Sequence, residues 1–278
     1  MKGKLVLVTG ASAGMGKETA TQLARQGAAV ALLCRNEQKG RQAQRDISAA
    51  TGNDNIELYI ADLASQRDIG AFVEQFRAKH ERLDVLVNNA GGVFGGGRSL
   101  TKDGIELNVA VNHLSAFMLS ALLLEPLKQS GQGRIVNVAS TMMAKQPDMA
   151  SYKEDTGLAP LAMYGQAKLA MIMTGYALAR RLAGTNVTVN ALHPGFVKTE
   201  QTIRFMPSWT RPLLGLFALT PQQGAQTAID LAASPDVAST TGRYFVKSKE
   251  KQTVPVSYDE AMQEQLWAYS EQLTGVNV

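Results

Sequence analysis

Tyr164 and Lys168 stand four positions apart in a segment of helical periodicity, Tyr-Gly-Gln-Ala-Lys, so both project from one helix face about a turn apart. A phenol that gives and takes a proton near neutral pH needs its pKa, about 10 when free, lowered by roughly three units, or about 4 kcal/mol. The Lys168 ammonium has the sign to supply that shift. Such pairs are common on structural helices, and this one gains meaning from its company. Upstream, an apolar run ends at Val138-Ala139-Ser140, and the Ser140 hydroxyl could donate to a carbonyl oxygen or hold an alcohol oxygen in the reverse direction.

A second constellation lies near the start of the chain. An apolar run at Lys4–Val8 enters Thr9-Gly10-Ala11-Ser12-Ala13-Gly14-Met15-Gly16, and a helical pattern follows at once. Glycines allow a tight turn and close backbone approach, while the helix start offers free N–H groups to an anion. Between a first strand and a first helix, this predicts a dinucleotide diphosphate held by Gly10, Ser12, Ala13, Gly14, Met15 and Gly16. About twenty residues on, where such folds read the adenosine ribose, stands Cys34-Arg35-Asn36. An acid there would repel a 2′-phosphate, whereas a guanidinium forks onto it. Arg35, with Asn36 beside it and no acid, predicts NADP(H) over NAD(H); the plainer reading makes Arg35 a solvated residue opening the next helix.

Both constellations need elements to position them. Runs rich in Val, Ile and Leu at Lys4–Val8, Ala29–Cys34, Ile56–Ile60, Leu83–Val87, Arg134–Val138, Val187–Leu192 and Arg243–Val246 alternate with helical patterns. The helices are expected at about 15–26, 38–51, 66–79, 104–128, 160–183, 221–233 and 258–273. Runs such as Leu5-Val6-Leu7-Val8, apolar without alternation, fit strands buried on both faces. The expectation is one α/β domain of Rossmann type over residues 1–278: a doubly wound parallel sheet of about seven strands, helices on both faces, ligands at the strands' carboxyl ends. Irregular stretches at 91–99, 141–158 and 193–220 supply the loops there.

The glycine spacing Gly10, Gly14, Gly16 resembles the short-chain dehydrogenase/reductase family. Asp62-Leu63 matches that family's adenine-contacting pair, and Asn88-Asn89-Ala90-Gly91 its Asn-Asn-Ala-Gly motif, which adds Asn89, Ala90 and Gly91 to the cofactor set. Val111-Asn112-His113-Leu114 matches the segment whose Asn binds a water in a proton relay, with Val111 beside the cofactor. The resemblance thus implies a catalytic tetrad of Asn112, Ser140, Tyr164 and Lys168, the last two also holding the cofactor. His193-Pro194-Gly195-Phe196-Val197-Lys198-Thr199 resembles the loop covering the nicotinamide amide, with contacts from Pro194, Gly195, Val197 and Thr199. Residues 9–20, Cys34-Arg35-Asn36, the long interval from Ser140 to Tyr164, Thr220-Pro221, Gly242-Arg243-Tyr244-Phe245 and Leu266-Trp267 are similar to the retinol dehydrogenase branch. That implies NADP(H) chemistry on a lipophilic aldehyde, ketone or alcohol, and leaves self-association through the fourth and fifth major helices open.

Composition narrows the classes. The 278 residues are 45% hydrophobic, enough for a large core, and 28 Lys and Arg against 24 Asp and Glu give +4 without the basic run a nucleic-acid partner needs. The single cysteine, Cys34, excludes an internal disulfide, argues against Cys-based zinc, and suits a reducing cytoplasm. No signal peptide or membrane-length apolar run is expected. Met142, Met143 and Met149 line either an adaptable pocket or the core, while Met163, Met171 and Met173 read more as core. Phe205, Trp209 and Phe217 read as a substrate cover within about 196–220, or as an oligomer contact. His113 and His193 read as ordinary satisfied histidines, and the glycines at 91–97 as a mobile loop. Three other readings stay open: a non-catalytic NADP(H)-sensing or scaffolding protein, a protochlorophyllide reductase-like enzyme, disfavoured because Cys34 sits at the adenosine end, and a sugar-nucleotide epimerase, whose glycine spacing differs.

Overall fold

The computed structural model describes residues 1–95, 97–198 and 218–277. The seven apolar runs form β1 (Leu5–Thr9), β2 (Ala29–Cys34), β3 (Ile56–Ile60), β4 (Val85–Asn88), β5 (Gly133–Val138), β6 (Val187–His193) and β7 (Arg243–Val246). They lie parallel in the order β3-β2-β1-β4-β5-β6-β7. An eighth strand, β8 (Lys249–Lys251), folds back antiparallel on β7 and extends the expected sheet. It is three exposed charged residues, without an apolar signal to betray it. The strand order reverses between β1 and β4, and that switch point opens a crevice at the carboxyl edge.

Unbroken apolar runs become two-faced strands. Val6 and Val8 enter a core built with α1 (Gly14–Arg25), α2 (Glu37–Thr51) and a helix at Pro221–Ala233, while Leu7 between them enters the opposite core with α3 (Gln66–Lys79). The region expected as one helix over 104–128 is instead divided. Gly104 takes a left-handed turn, Glu106 caps α4 (Leu107–Val109), and a π-helical turn over Ala110–Leu114 leads into α5 (Ser115–Leu122). A break at Leu123 starts α6 (Leu124–Lys128), whose third residue, Pro126, tolerates its missing N–H near a helix start. Then come α7 (Pro160–Arg181), begun by proline, α8 (Pro221–Ala233), opened by a Thr220–Gln223 capping box, and α9 (Glu260–Thr274), capped by Asp259.

Long-range polar contacts lock the layers. The buried Arg134 guanidinium on β5 donates to Leu231 O (3.1 Å) and Ser234 O (2.8 Å), satisfying carbonyls at the end of α8. Arg181 of α7 stacks on Trp267 of α9, 4.1 Å from the ring, and pairs with Glu264. No helix among the described residues is long and apolar enough to cross a membrane.

Under the outer edge of the sheet, fully buried Phe76 packs on Tyr59 and Phe72, each with ring centroids 5.8 Å away, and on His80 at 4.8 Å. Phe76→Ala leaves a void among rings that cannot collapse, and should cost about 3–5 kcal/mol of unfolding free energy, read by urea titration.

Candidate active site

At the switch point the β1–α1 turn lies against the end of β4. Gly10 and Gly14 hold left-handed backbone at φ 65° and 56°. A Cβ on Gly10 would come within 2.9 Å of Ala90 Cα, and one on Gly16 would collide with Asn89 Nδ2 and with Gly10 O at 2.5 Å. Asn89 Nδ2 donates to Thr9 O (2.8 Å), and the Thr9 hydroxyl accepts from Asn89 N (3.0 Å) and Ala90 N (2.8 Å). Asn89 therefore fastens the glycine turn with its own side chain. Thr9, a hydroxyl at a strand end just before the glycine turn, thus joins the site as well.

The start of α1 has no side-chain cap and no acid in its first turn, so its leading N–H groups and dipole remain available to an anion. Together with the left-handed glycine turn packed against the end of β4, this fits a dinucleotide diphosphate. Ser12, Met15 and Gly14 are half-buried in the turn and Ala13 is exposed.

Arg35 stands exposed past the end of β2, in no ion pair among the described residues. Asn36 is spent locally: its side chain accepts from Lys39 N (2.9 Å) and caps α2. Cys34 is buried, and desolvation pushes its thiol up to about 11 against opposing hydrogen bonds from Ala11 and Ser12, so it stays a small neutral side chain. Beyond β3, Asp62 Oδ1 accepts from Ala64 N (3.0 Å), while Leu63 sinks into the core.

The four residues of the implied tetrad come together. Ser140 follows β5, its Oγ accepts from Met142 N (3.0 Å), and its hydroxyl lies close enough to Tyr164 to favour the phenolate. Lys168 Nζ lies 5.6 Å from the Tyr164 ring centroid and donates to Val138 O at 2.7 Å. Burial pushes the Lys168 ammonium down to about 7 and holds the Tyr164 phenol above its usual range, with the neighbouring Ser140 hydroxyl opposing the latter. In the protein alone, then, desolvation outweighs the lowering expected from the spacing. Asn112 sits in the π-helical turn, and both its amide donors are used, on Gly92 O and Asn108 O at 2.9 Å each, while its Oδ1 accepts from Gly92 N (2.8 Å). A Cβ on Gly91 would come within 2.5 Å of Asn112 Oδ1 and 3.1 Å of Lys168 Nζ, so this glycine is the floor between them. Val111 is half-buried in the same turn.

After β6, Pro194 and Gly195 turn the chain, Val197 is buried, and a parallel bridge joins Val197 to Leu219. Val197 also lies against Gly224 at the start of α8, where a Cβ would strike Val197 Cγ2 and reach Met15 Sδ at 2.9 Å. The expected contact Thr199 and the expected cover residues Phe205, Trp209 and Phe217 lie outside the described residues, as does most of the 196–220 segment. Met163, Met171 and Met173 are core, Met143 and Met149 pack on the α7–α9 core, and Met142 is exposed beside Ser140. His193 is held by Thr141 (3.3 Å to Nδ1). His113 pairs its Nε2 with Ser270 (2.9 Å), but its buried Nδ1 has no partner among the described residues, so it is only half satisfied there. The loop expected to be mobile is pinned at Gly92 and also at Phe94, whose N–H and carbonyl meet the Asn108 side chain.

The family described as short chain dehydrogenase matches residues 4–207. Mouse (Mus musculus) retinol dehydrogenase 14 is 40% identical over 99% of this chain and 87% of its own length. Human (Homo sapiens) polyprenol dehydrogenase is 37% identical over 98% and 86%. Two solved structures superpose closely: an uncharacterized protein from Mycobacterium paratuberculosis (TM-score 0.79, 28% identity, 99% of this chain and 95% of that one), and a short chain dehydrogenase from Escherichia coli CFT073 complexed with NADPH (0.72, 27%, 90% and 98%). With a glycine cradle at the β1–β4 switch point and Ser140, Tyr164 and Lys168 gathered at its edge, the chain belongs to the short-chain dehydrogenase/reductase family of nicotinamide-dependent oxidoreductases.

Proposed function

We propose that the chain is an NADP(H)-dependent oxidoreductase that interconverts a lipophilic aldehyde or ketone and its alcohol. The observation that carries this reading is the gathering of Ser140, Tyr164 and the buried Lys168 cation, 5.6 Å from the Tyr164 ring centroid, at the carboxyl edge of β5. The cradle of Gly10, Gly14 and Gly16 would hold the diphosphate, and Arg35 a 2′-phosphate. When bound, the nicotinamide supplies hydride in one direction and accepts it in the other.

The residues of the chain handle the oxygen and its proton. Ser140 donates a hydrogen bond to the carbonyl oxygen, and Tyr164 delivers a proton to that oxygen as it becomes an alkoxide. In oxidation Tyr164 takes the proton back. Lys168, already desolvated and partnered by one carbonyl, holds positive charge where the phenolate would form. Asn112 fixes the loop beside Lys168 and, through its oxygens, can hold the water that returns protons to solvent. The lipophilic substrate class is supported by the named substrates of the retinol and polyprenol dehydrogenases, and by the exposed apolar side chains Met142, Leu161 and Phe196 on segments that border Ser140, Tyr164 and Gly195.

NADPH oxidation with a panel of aldehydes and ketones tests the reading; tight NADPH binding with no turnover of any of them would refute it. Tyr164→Phe should lower kcat/KM by about 10²–10⁴-fold with NADPH affinity retained, as measured by fluorescence titration. Arg35→Glu should shift the NADPH-to-NADH ratio of kcat/KM toward NADH by at least about tenfold, and an unchanged ratio would exclude Arg35 from phosphate binding.

Burial of Lys168 has a signed consequence for the cofactor-free protein. Between pH 7 and about 10 the unfolded chain holds a proton on this lysine that the folded chain releases, so stability rises with pH through that window. Below pH 7 the full cost of burying the ammonium is present. Lys168→Met should therefore raise the Tm of the cofactor-free protein most at pH 6, with the gain shrinking toward pH 10.

A further inference from the structure

The segment that leaves β4 runs beside the catalytic residues, with no strand next to it among the described residues. Its backbone groups still need partners, and two side-chain amides provide them. Asn112 Oδ1 accepts from Gly92 N (2.8 Å) and its Nδ2 donates to Gly92 O (2.9 Å). Asn108 repeats the pattern two residues on, its Oδ1 accepting from Phe94 N (2.8 Å) and its Nδ2 donating to Phe94 O (3.1 Å). The two spacings match: residues four apart along a helix are separated by about 6 Å, and residues two apart in extended chain by about 6.6 Å. The helix edge thus stands in for a β-strand.

Asn108 is itself held. Its Nδ2 also donates to Glu106 Oε1 (2.9 Å), while Glu106 Oε2 accepts from Val109 N (3.0 Å) and Glu106 N donates to Tyr152 O (2.8 Å). Glu106, Asn108 and Asn112 are each no more than 1% exposed, so these bonds are made in the interior, where losing one is costly. Asn112 fixes the segment where Gly91 abuts Lys168, and Asn108 fixes it one step further, where the first bulky side chain, Phe94, stands half-buried.

We propose that Asn108, steadied by Glu106, is a positioning residue that sets Phe94 as a wall of the substrate cleft and so discriminates among substrates by bulk. This rests on the carbonyl-reducing function proposed above. Asn108 touches no reacting atom and acts through the backbone of Phe94. Its loss should loosen the wall while leaving the cofactor cradle, on the other side of Gly91, intact.

The test uses Asn108→Leu, which keeps the branched shape and removes the amide, Phe94→Ala, which removes the wall from a half-exposed loop position, and the double variant. Amide hydrogen exchange over residues 90–98 is compared with steady-state kinetics on a bulky lipophilic aldehyde and a short-chain aldehyde. Asn108→Leu should speed exchange in that segment and raise KM for the bulky aldehyde about tenfold, with KM for the short one and NADPH affinity within about twofold. Because Asn108 acts through Phe94, the two substitutions should not add in the double variant. Unchanged exchange overturns the positioning role, and additive effects or equal losses on both aldehydes overturn the wall. If Asn108→Leu does not fold, an unaltered bulky-to-short ratio in Phe94→Ala overturns the proposal. A wild-type protein that turns over neither aldehyde refutes the proposed function, and with it the wall, while hydrogen exchange still decides whether Asn108 holds Phe94.

Discussion

The close approach of two backbones at the β1–β4 switch point is the constraint on which the rest of this molecule depends. Gly16 and Gly10 leave no room for a Cβ against Asn89 and Ala90, and Asn89 and Thr9 stitch the two chain segments together. The stitch aligns the start of α1 with the carboxyl edge of the sheet, so the open N–H groups of a helix and the hydroxyls beyond β5 share one crevice.

A second economy runs through the loops of that crevice. Irregular backbone near a buried site must satisfy its hydrogen bonds without strand neighbours. Here side-chain amides take the neighbours' place: Asn112 and Asn108 on the segment after β4, and Gln166 on the segment after β5, accepting from Asp148 N (2.9 Å) and donating to Gln146 O (3.1 Å). Gln166 stands between Tyr164 and Lys168 in sequence, so one helix carries both the acid–base pair and a fastening for the loop that begins at Ser140. Lys168 pays for its place: a buried ammonium whose one carbonyl acceptor among the described residues is Val138 O costs stability in the protein alone.

Much of this was legible in residue types and spacing. Unbroken apolar runs announced strands covered on both faces, and Leu7 against Val6 and Val8 shows why: alternate side chains feed different cores. The glycine turn, Arg35, Ser140, Tyr164 and Lys168 could be named as candidates because the chemistry of each is local, in a turn, at a strand end or on one helix face. Less legible were features that depend on what lies across a gap. The charged strand β8 owes its existence to β7, and the π-helical turn around Asn112 accompanies bonds to Gly92 that no periodicity encodes. The glycines at 91–97 read as freedom, yet Gly92 and Phe94 are held from a helix some fourteen to twenty residues later in the chain.

By itself, then, the amino-acid order determined the element types, the sheet's buried character and which side chains could do chemistry, because those follow from short-range periodicity and functional groups. Only the tertiary structure decided how those groups are charged and held. The Lys168 ammonium, brought down to about 7, and the Tyr164 phenol, held up, reflect burial by distant segments. Asn89 became a fastener and Asn36 a helix cap for the same kind of reason: a side chain's role is settled by the partners that folding brings within hydrogen-bond reach.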